Sequence, residues 1–144
     1  MDMIAKRETA VKIAGAFLGT PYLWGGDNPI EGFDCSGLCI EILKSVGLLP
    51  RNGDWRARDL WDKFNANEAA SPYAGCLVFW KASASDDSIV HIEFAISDEL
   101  CIGAAQGGSA TESLGDAIAH DAYVMIRPYK SRRNVRGILD PFRV

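Results

Sequence analysis

The sequence predicts an α+β fold, with N-terminal helices packed on a small antiparallel β-sheet, and three observations carry that prediction. Apolar residues recur at helical spacing as far as Phe64, and short β-branched and aromatic runs replace them from Gly75 onward. Strands do not alternate with helices, which argues against a doubly wound parallel sheet. Composition suits a folded chain, because 48% of the 144 residues are hydrophobic and 24% are charged, enough apolar surface to bury a core. With no internal repeat, low-complexity tract or linker in the sequence, residues 1–144 are read as one domain.

The first helix is expected over residues 3–18, with Ile4, Val11, Ala14, Phe17 and Leu18 on one face and Lys6, Arg7, Glu8 and Lys12 on the other. Gly19-Thr20-Pro21 stops it. A polar loop carrying Gly25, Gly26 and Gly32 then leads to Asp34-Cys35. Leu38, Ile42 and Val46, with Cys39 and Leu43 alongside, predict a second helix that opens at Cys35 and ends near Gly47, with Pro50 beyond. Asp54 is expected to cap a third helix, in which Trp55, Leu60, Trp61 and Phe64 serve as packing residues rather than a ligand box.

From Gly75 the pattern is β-like. Residues 77–80 and 89–96 are expected strands, joined by a polar, serine-rich loop over 81–88. Side chains alternate along a strand, so His91, Glu93 and Ala95 share one face and Ile92, Phe94 and Ile96 the other. His91 is thereby expected to point away from the continuous apolar face. Ser97-Asp98-Glu99 suits a tight connection into a strand over 100–102, Gln106-Gly107-Gly108-Ser109 is a loop, and residues 122–127 form the last expected strand. The arginine-rich remainder is read as irregular cover.

A formal charge of −4 argues against nonspecific nucleic-acid binding. Six basic residues do fall after position 126 (Arg127, Lys130, Arg132, Arg133, Arg136 and Arg143), and they are read as a solvated tail. The four cysteines, at 35, 39, 76 and 101, show neither a Cys-x-x-Cys pair nor the density of a secreted scaffold, so free thiols are expected and no metal site. Residues 1–7 are followed by Glu8 and Thr9 rather than by the apolar core of a secretory signal, and no run approaches membrane-spanning length. The expectation is cytoplasmic synthesis as a soluble chain without membrane insertion. A target outside the cell would then require release or carriage.

Cys35 falls in the first turn of its helix, where unpaired backbone N–H groups and the helix dipole favour a thiolate, so an acidic, nucleophilic thiol is expected. Taken alone, Cys35 also fits a small core residue, with Asp34 as a simple helix cap. His91 alone fits either a general base or a satisfied structural histidine. His120, the second of two histidines, is read as a surface residue.

Tyr22-Leu23-Trp24-Gly25-Gly26 together with Gly32-Phe33-Asp34-Cys35-Ser36-Gly37-Leu38 resembles the nucleophile segment of the NlpC/P60 family of papain-like cysteine peptidases. Gly75-Cys76-Leu77-Val78-Phe79-Trp80 is similar to that family's Gly-Asp-Leu-Val-Phe-Phe strand, and Val90-His91-Ile92-Glu93 to its histidine strand. The resemblance implies a papain-like fold and hydrolysis of peptidoglycan stem peptides without a cofactor. The bond implied lies between D-γ-glutamate and a diamino acid. It assigns Cys35 as nucleophile and His91 as base. It implies that the Cys35 N–H and the Tyr22 hydroxyl hold the oxyanion or substrate, while Asp34 and Ser36 flank the stem-peptide pocket. Cys76 stands where the family has aspartate and is given no catalytic role. The family's third, orienting residue falls on the next strand, where this chain has Gly103. Gln106 is the chosen substitute, with Glu93, water or a backbone carbonyl as alternatives. The ending Gly137-Ile138-Leu139-Asp140-Pro141-Phe142 looks like a phage-associated branch, with lysis or tail components as possible partners. Two rival readings stand: a catalytically silent wall-binding or tail domain, and an acyl transferase or amidase using the same pair.

Overall fold

Asp2 opens the first helix, its carboxylate accepting the Ala5 N–H at 2.8 Å. The computed structural model describes residues 1–143, and helix α1 spans Met3–Ala16. The expected apolar face is only partly the buried one. Ala10 and Ala14 are fully buried, whereas Ile4 is 72% exposed. Small side chains face inward because α1 packs on a second helix at close range, which the bulk-weighted reading of the pattern did not register.

Gly19, in the left-handed region at φ 82°, turns the chain out of α1. A two-stranded ribbon, β1 (Asp27–Asn28) and β2 (Gly32–Phe33), precedes helix α2 (Cys35–Ser45). A Cβ at Gly37 would lie 3.0 Å from the Gly26 carbonyl carbon and closer still to its oxygen. The Gly25-Gly26 loop therefore lies directly on the first turn of α2. Leu38, Cys39, Ile42 and Leu43 of α2 are fully buried.

Helix α3 (Ala57–Phe64) is not capped by Asp54; instead Asp59 reaches back to accept the Arg56 N–H at 2.8 Å. A carboxylate at the third helical position satisfies the N–H of the cap residue itself, whereas a cap side chain would accept from the N–H groups of the first turn. Leu60 and Phe64 are buried, and Trp61 packs edge-on against Phe79 with centroids 5.1 Å apart.

The sheet contains β3 (Glu68–Ala69), β4 (Leu77–Ser83), β5 (Asp86–Ala95), β6 (Leu100–Ala105), β7 (Tyr123–Pro128) and β8 (Val135–Leu139). Its order is β3-β8-β4-β5-β6-β7, antiparallel throughout. Two sequence expectations are corrected here, and one element absent from the sequence reading is added. Residues 81–88 are not a long loop, since pairing continues to Ser83↔Asp86; this solvent-exposed end of the hairpin needs no apolar alternation. Residues 114–119 form a short helix, α4 (Leu114–Ala119), capped by Ser113 and too brief to show a period. The arginine-rich stretch is not mere cover, because β8 runs through it and lies between β3 and β4.

Both faces of the sheet are covered. One carries α1 and α2 over Leu77, Phe79, Ile92, Phe94 and Leu139. On the other, Cys76, Val78, Trp80, Ala95, Cys101 and Ile138 cluster beneath Tyr129 and Val135. His91 does lie off the main apolar face, yet it is buried all the same, as is Glu93. Among the described residues no helix is long and apolar enough to cross a membrane.

One irregularity prepares the site. Strands β5 and β6 pair at Phe94↔Ile102 and Ala95↔Cys101, but the pairing is not continued toward His91. There β5 stays with β4 and β6 stays with β7. The ladder between the two strands ends there, with Glu93 packed over Gly103, and the cleft lies further along, lined by Ile89, Val90 and His91 of β5 and by Ala104 and Ala105 of β6.

Candidate active site

Asp34 sets the position of Cys35. Its backbone is extended and its Oδ1 accepts the Gly37 N–H at 2.6 Å, so α2 begins at Cys35 and the sulfur stands at the helix head. The Ser36 hydroxyl donates to the same oxygen at 3.3 Å. Three backbone N–H groups, those of Ile92, Ser36 and Cys35 itself, pull the thiol pKa down, as a helix start should. Burial wins, however, and with the neighbouring Asp34 carboxylate it pushes the Cys35 thiol up to about 11. The expectation of an acidic thiol is therefore corrected: the resting sulfur is protonated.

The Ile92 N–H that helps lower the thiol pKa belongs to the residue that follows His91 on β5. Cys35 and His91 line one cleft of about 340 Å³, together with Tyr22, Trp24, Gln106 and Arg132. His91 is fixed on two sides. Trp80, its partner across β4, lies over the ring with centroids 5.4 Å apart. Trp80 is itself held by donating its indole N–H to the Arg132 carbonyl at 3.2 Å. On the second side His91 Nε2 meets Glu93 Oε2 at 2.6 Å.

Glu93 is in turn gripped by Arg127, whose Nη2 and Nε donate to Oε2 at 2.6 and 3.1 Å. Burial alone would raise the Glu93 pKa; the hydrogen bonds and charges of His91 and Arg127 outweigh it and hold the carboxyl below its ordinary value. Glu93 is thus an anion placed to accept a proton from Nε2, which Arg127 Nη2 also approaches at 3.3 Å. Burial lowers the pKa of His91, Glu93 pulls it back up, and Arg132 and Arg127 lower it again; the net direction is downward, so the ring is neutral at pH 7.

The remaining sequence-predicted residues divide. Tyr22 is buried, lies in the cleft and presses its ring on Gly107, where any Cβ would collide with it. Burial, then Cys35 and Asp34, raise its pKa, so the hydroxyl keeps its proton and can donate. Asp34 and Ser36 line the cleft as expected. Gln106 lines the cleft, but its amide donates to Met125 Sδ at 3.5 Å and makes no hydrogen bond to His91 among the described residues. Its backbone, in the left-handed region at φ 65°, turns the chain out of β6. Cys76 is buried in the second cluster, far in sequence from the helix head.

Three participants were not assigned from sequence. Trp24 lay inside the quoted motif but was given no role, and it is 56% exposed at the cleft. Arg127 and Arg132 were absorbed into the basic tail. For Arg127 a signal existed: it ends an alternating strand and pairs with Cys101, on the same sheet face as Glu93.

A cysteine at a helix head beside a neutral histidine on an antiparallel sheet defines the class of Cys/His α+β domains. Residues 19–128 match the NlpC/P60 family, and the chain belongs to that family. It is 38% identical over 86 residues to the bifunctional muramidase/DL-endopeptidase CwlT of Bacillus subtilis (strain 168), covering 59% of this chain and 25% of that one. It is 30% identical over 110 residues to the gamma-D-glutamyl-L-lysine dipeptidyl-peptidase of the same organism, covering 74% and 35%. The chain thus spans about a third or less of these relatives' length. Among solved structures, the NlpC/p60 domain of the peptidoglycan hydrolase SagA superimposes with a TM-score of 0.65 at 25% identity, covering 93% of this chain and 97% of that domain.

Proposed function

We propose that this domain is a cysteine peptidase that cleaves peptidoglycan stem peptides at the D-γ-glutamyl–diamino acid bond. One observation carries the chemistry: Cys35, at the head of α2, and His91, on β5, line a single open cleft. The family, together with the activities for which these relatives are named, supports the substrate class.

Because the thiol rests protonated and His91 rests neutral, the two form a neutral pair. With Nε2–H committed to Glu93, Nδ1 is the nitrogen that takes the thiol proton as sulfur attacks the amide carbon. The oxygen of the tetrahedral intermediate is met by the Cys35 N–H, which has no partner within the helix at that position, and by the Tyr22 hydroxyl. The C–N bond then breaks, His91 returns the proton to the departing amine, and a thioester remains. Water, deprotonated by His91, attacks the thioester, and the sulfur leaves as it recovers its proton. Asp34 and Ser36 at the helix head, and Trp24 at the rim, bind the stem.

The test is mass spectrometry of purified muropeptides after incubation with wild-type protein and with Cys35→Ala. Wild type should split the stem at the γ-glutamyl bond and the variant should leave it whole. Cleavage at another amide, or acyl transfer to an added amine, would move the protein to the amidase or transferase reading. Sacculus binding without cleavage would favour the silent domain.

The phage setting suggested by the Gly137–Phe142 segment is part of the proposal, although much of that segment serves the fold as the end of β8 and as a partner for α1. Proteomics of purified virions from a strain carrying the gene tests it.

A further inference from the structure

Glu93 spends its hydrogen bonds unevenly. Oε2 receives His91 Nε2, Arg127 Nη2 and Arg127 Nε, while Oε1, equally buried, has no hydrogen-bond partner among the described residues. An unsatisfied buried oxygen is costly, and an ion pair shaped for stability alone would use both oxygens in a fork. Here the charge is concentrated on the one oxygen that faces the imidazole.

The backbone opposite makes room for this arrangement. Gly103 sits on β6 where the strands part, and a Cβ built there would lie 2.6 Å from Glu93 Cδ and closer still to Cγ. Any side chain at 103 would expel Glu93 from its place. Glycine is required there by steric exclusion, since its φ is not in the left-handed region.

We propose that Glu93, clamped by Arg127 and admitted by Gly103, is the positioning residue that fixes the tautomer and ring orientation of His91. The proposal rests on the peptidase reading for its purpose, but its geometry belongs to the free protein. A carboxylate at Nε2 holds the proton there and leaves Nδ1 as the base. It also stabilises the imidazolium that forms during attack. Arg127 keeps Glu93 ionised, so the proton stays on the ring. The glycine that stands at the family's orienting position becomes the means by which an orienting group on β5 is accommodated.

The charged and titratable groups around His91 are Glu93 on its own strand, Arg127 from β7 and Arg132 from the segment after β7. Cys35 and Asp34 at the head of α2 line the same cleft. Removing the Glu93 charge while keeping an acceptor should therefore lower the His91 pKa further, as the two arginines would act unopposed.

The experiment is imidazole nitrogen NMR on ¹⁵N-histidine protein carrying His120→Asn, which leaves His91 as the single signal. Expected is the Nε2–H tautomer in the parent, a mixture of tautomers in Glu93→Ala/Arg127→Met, and titration at lower pH in the isosteric Glu93→Gln. With stem peptide, the Ala/Met variant should lose kcat by about 10²–10⁴-fold, the range a general base supplies, at little-changed KM. A parent ring protonated on Nδ1, or a Glu93→Gln ring titrating as in the parent, would overturn the proposal, and the second result decides the matter even where the double variant does not fold. Since the spectra need no substrate, a protein that shows the predicted tautomer but cleaves no muropeptide refutes the peptidase reading and not the positioning role.

Discussion

Arg7 on α1 and Asp140 near the C-terminal end, 133 residues apart, are joined by two parallel hydrogen bonds of 3.0 and 2.9 Å. Asp140 is 1% exposed and also accepts from the Tyr73 hydroxyl at 2.7 Å and the Phe142 N–H at 2.9 Å. Burial would raise its pKa, but these donors, with Arg7 foremost, hold it below the ordinary aspartate value.

A depressed carboxylate stabilises the fold above its unfolded pKa, and that contribution is lost as pH falls through the folded value. Arg7→Met should therefore cost about 2–3 kcal/mol at pH 7, at or below the bottom of the roughly 3–5 kcal/mol range for breaking a buried pair, because Arg7 is partly exposed. The difference from wild type should shrink below about pH 4, as the unpaired Asp140 of the variant is protonated first. Urea unfolding at pH 7 and pH 3.5 checks both statements. An equal cost at the two pH values would show that Arg7 acts by packing on Tyr73 and Phe142, not by charge.

For Cys35, a thiol pushed up to about 11 has a definite kinetic signature. Alkylation by iodoacetamide should accelerate steadily from pH 6 to about pH 9 without a plateau, because the thiolate fraction keeps growing tenfold per unit below the pKa. Cys39, Cys76 and Cys101 are fully buried and should label only on unfolding. Peptide mapping after brief alkylation at several pH values measures this. A plateau near neutrality would mean that a Cys⁻/HisH⁺ ion pair exists at rest.

Much of the site was legible in the residues. The glycine spacing before Asp34 and the apolar period after it located Cys35 at a helix start, and two-residue alternation put His91 and Glu93 on one face. What could not be read was anything set by strand order. That β8 inserts between β3 and β4, or that β5 and β6 part at Glu93, leaves no local pattern, because both depend on pairings between residues distant in the chain. Gln106 was preferred over Glu93 as the uncharged choice, a preference that held only while no cation was known to face the carboxylate. Arg127 is that cation. The thiol was misjudged for a related reason: the helix start was visible in sequence, whereas the burial that opposes it was not.

Trp24 gives a test of binding apart from chemistry. It is 56% exposed on the cleft rim, and its backbone N–H is anchored to the Thr111 carbonyl at 2.8 Å, so the ring is presented from a fixed point. An exposed aromatic beside a nucleophile contributes by covering bound substrate. Trp24→Ala should raise KM by about tenfold with kcat nearly unchanged, the pattern of lost uniform binding, and should leave the thermal midpoint within a few degrees of wild type. A fall in kcat at constant KM would instead place the ring against the reacting bond.

Cys35 and His91 should behave as one unit in stem-peptide cleavage. Without the sulfur the imidazole has no proton to accept, and without the imidazole neither attack nor amine departure is assisted, so Cys35→Ala, His91→Ala and the double variant should all fall to a common floor. Their stabilities should differ. Cys35→Ala removes one atom from the helix head and should melt close to wild type. His91→Ala deletes a buried ring beneath Trp80 and strips Glu93 Oε2 of one donor, which should cost about 1–3 kcal/mol. His91→Gln, which can keep an N–H toward Glu93, should recover part of that stability and none of the activity. Single-turnover cleavage together with thermal melts of the four variants separates the two effects. Activity in His91→Gln above the common floor would show that the imidazole serves structure more than catalysis.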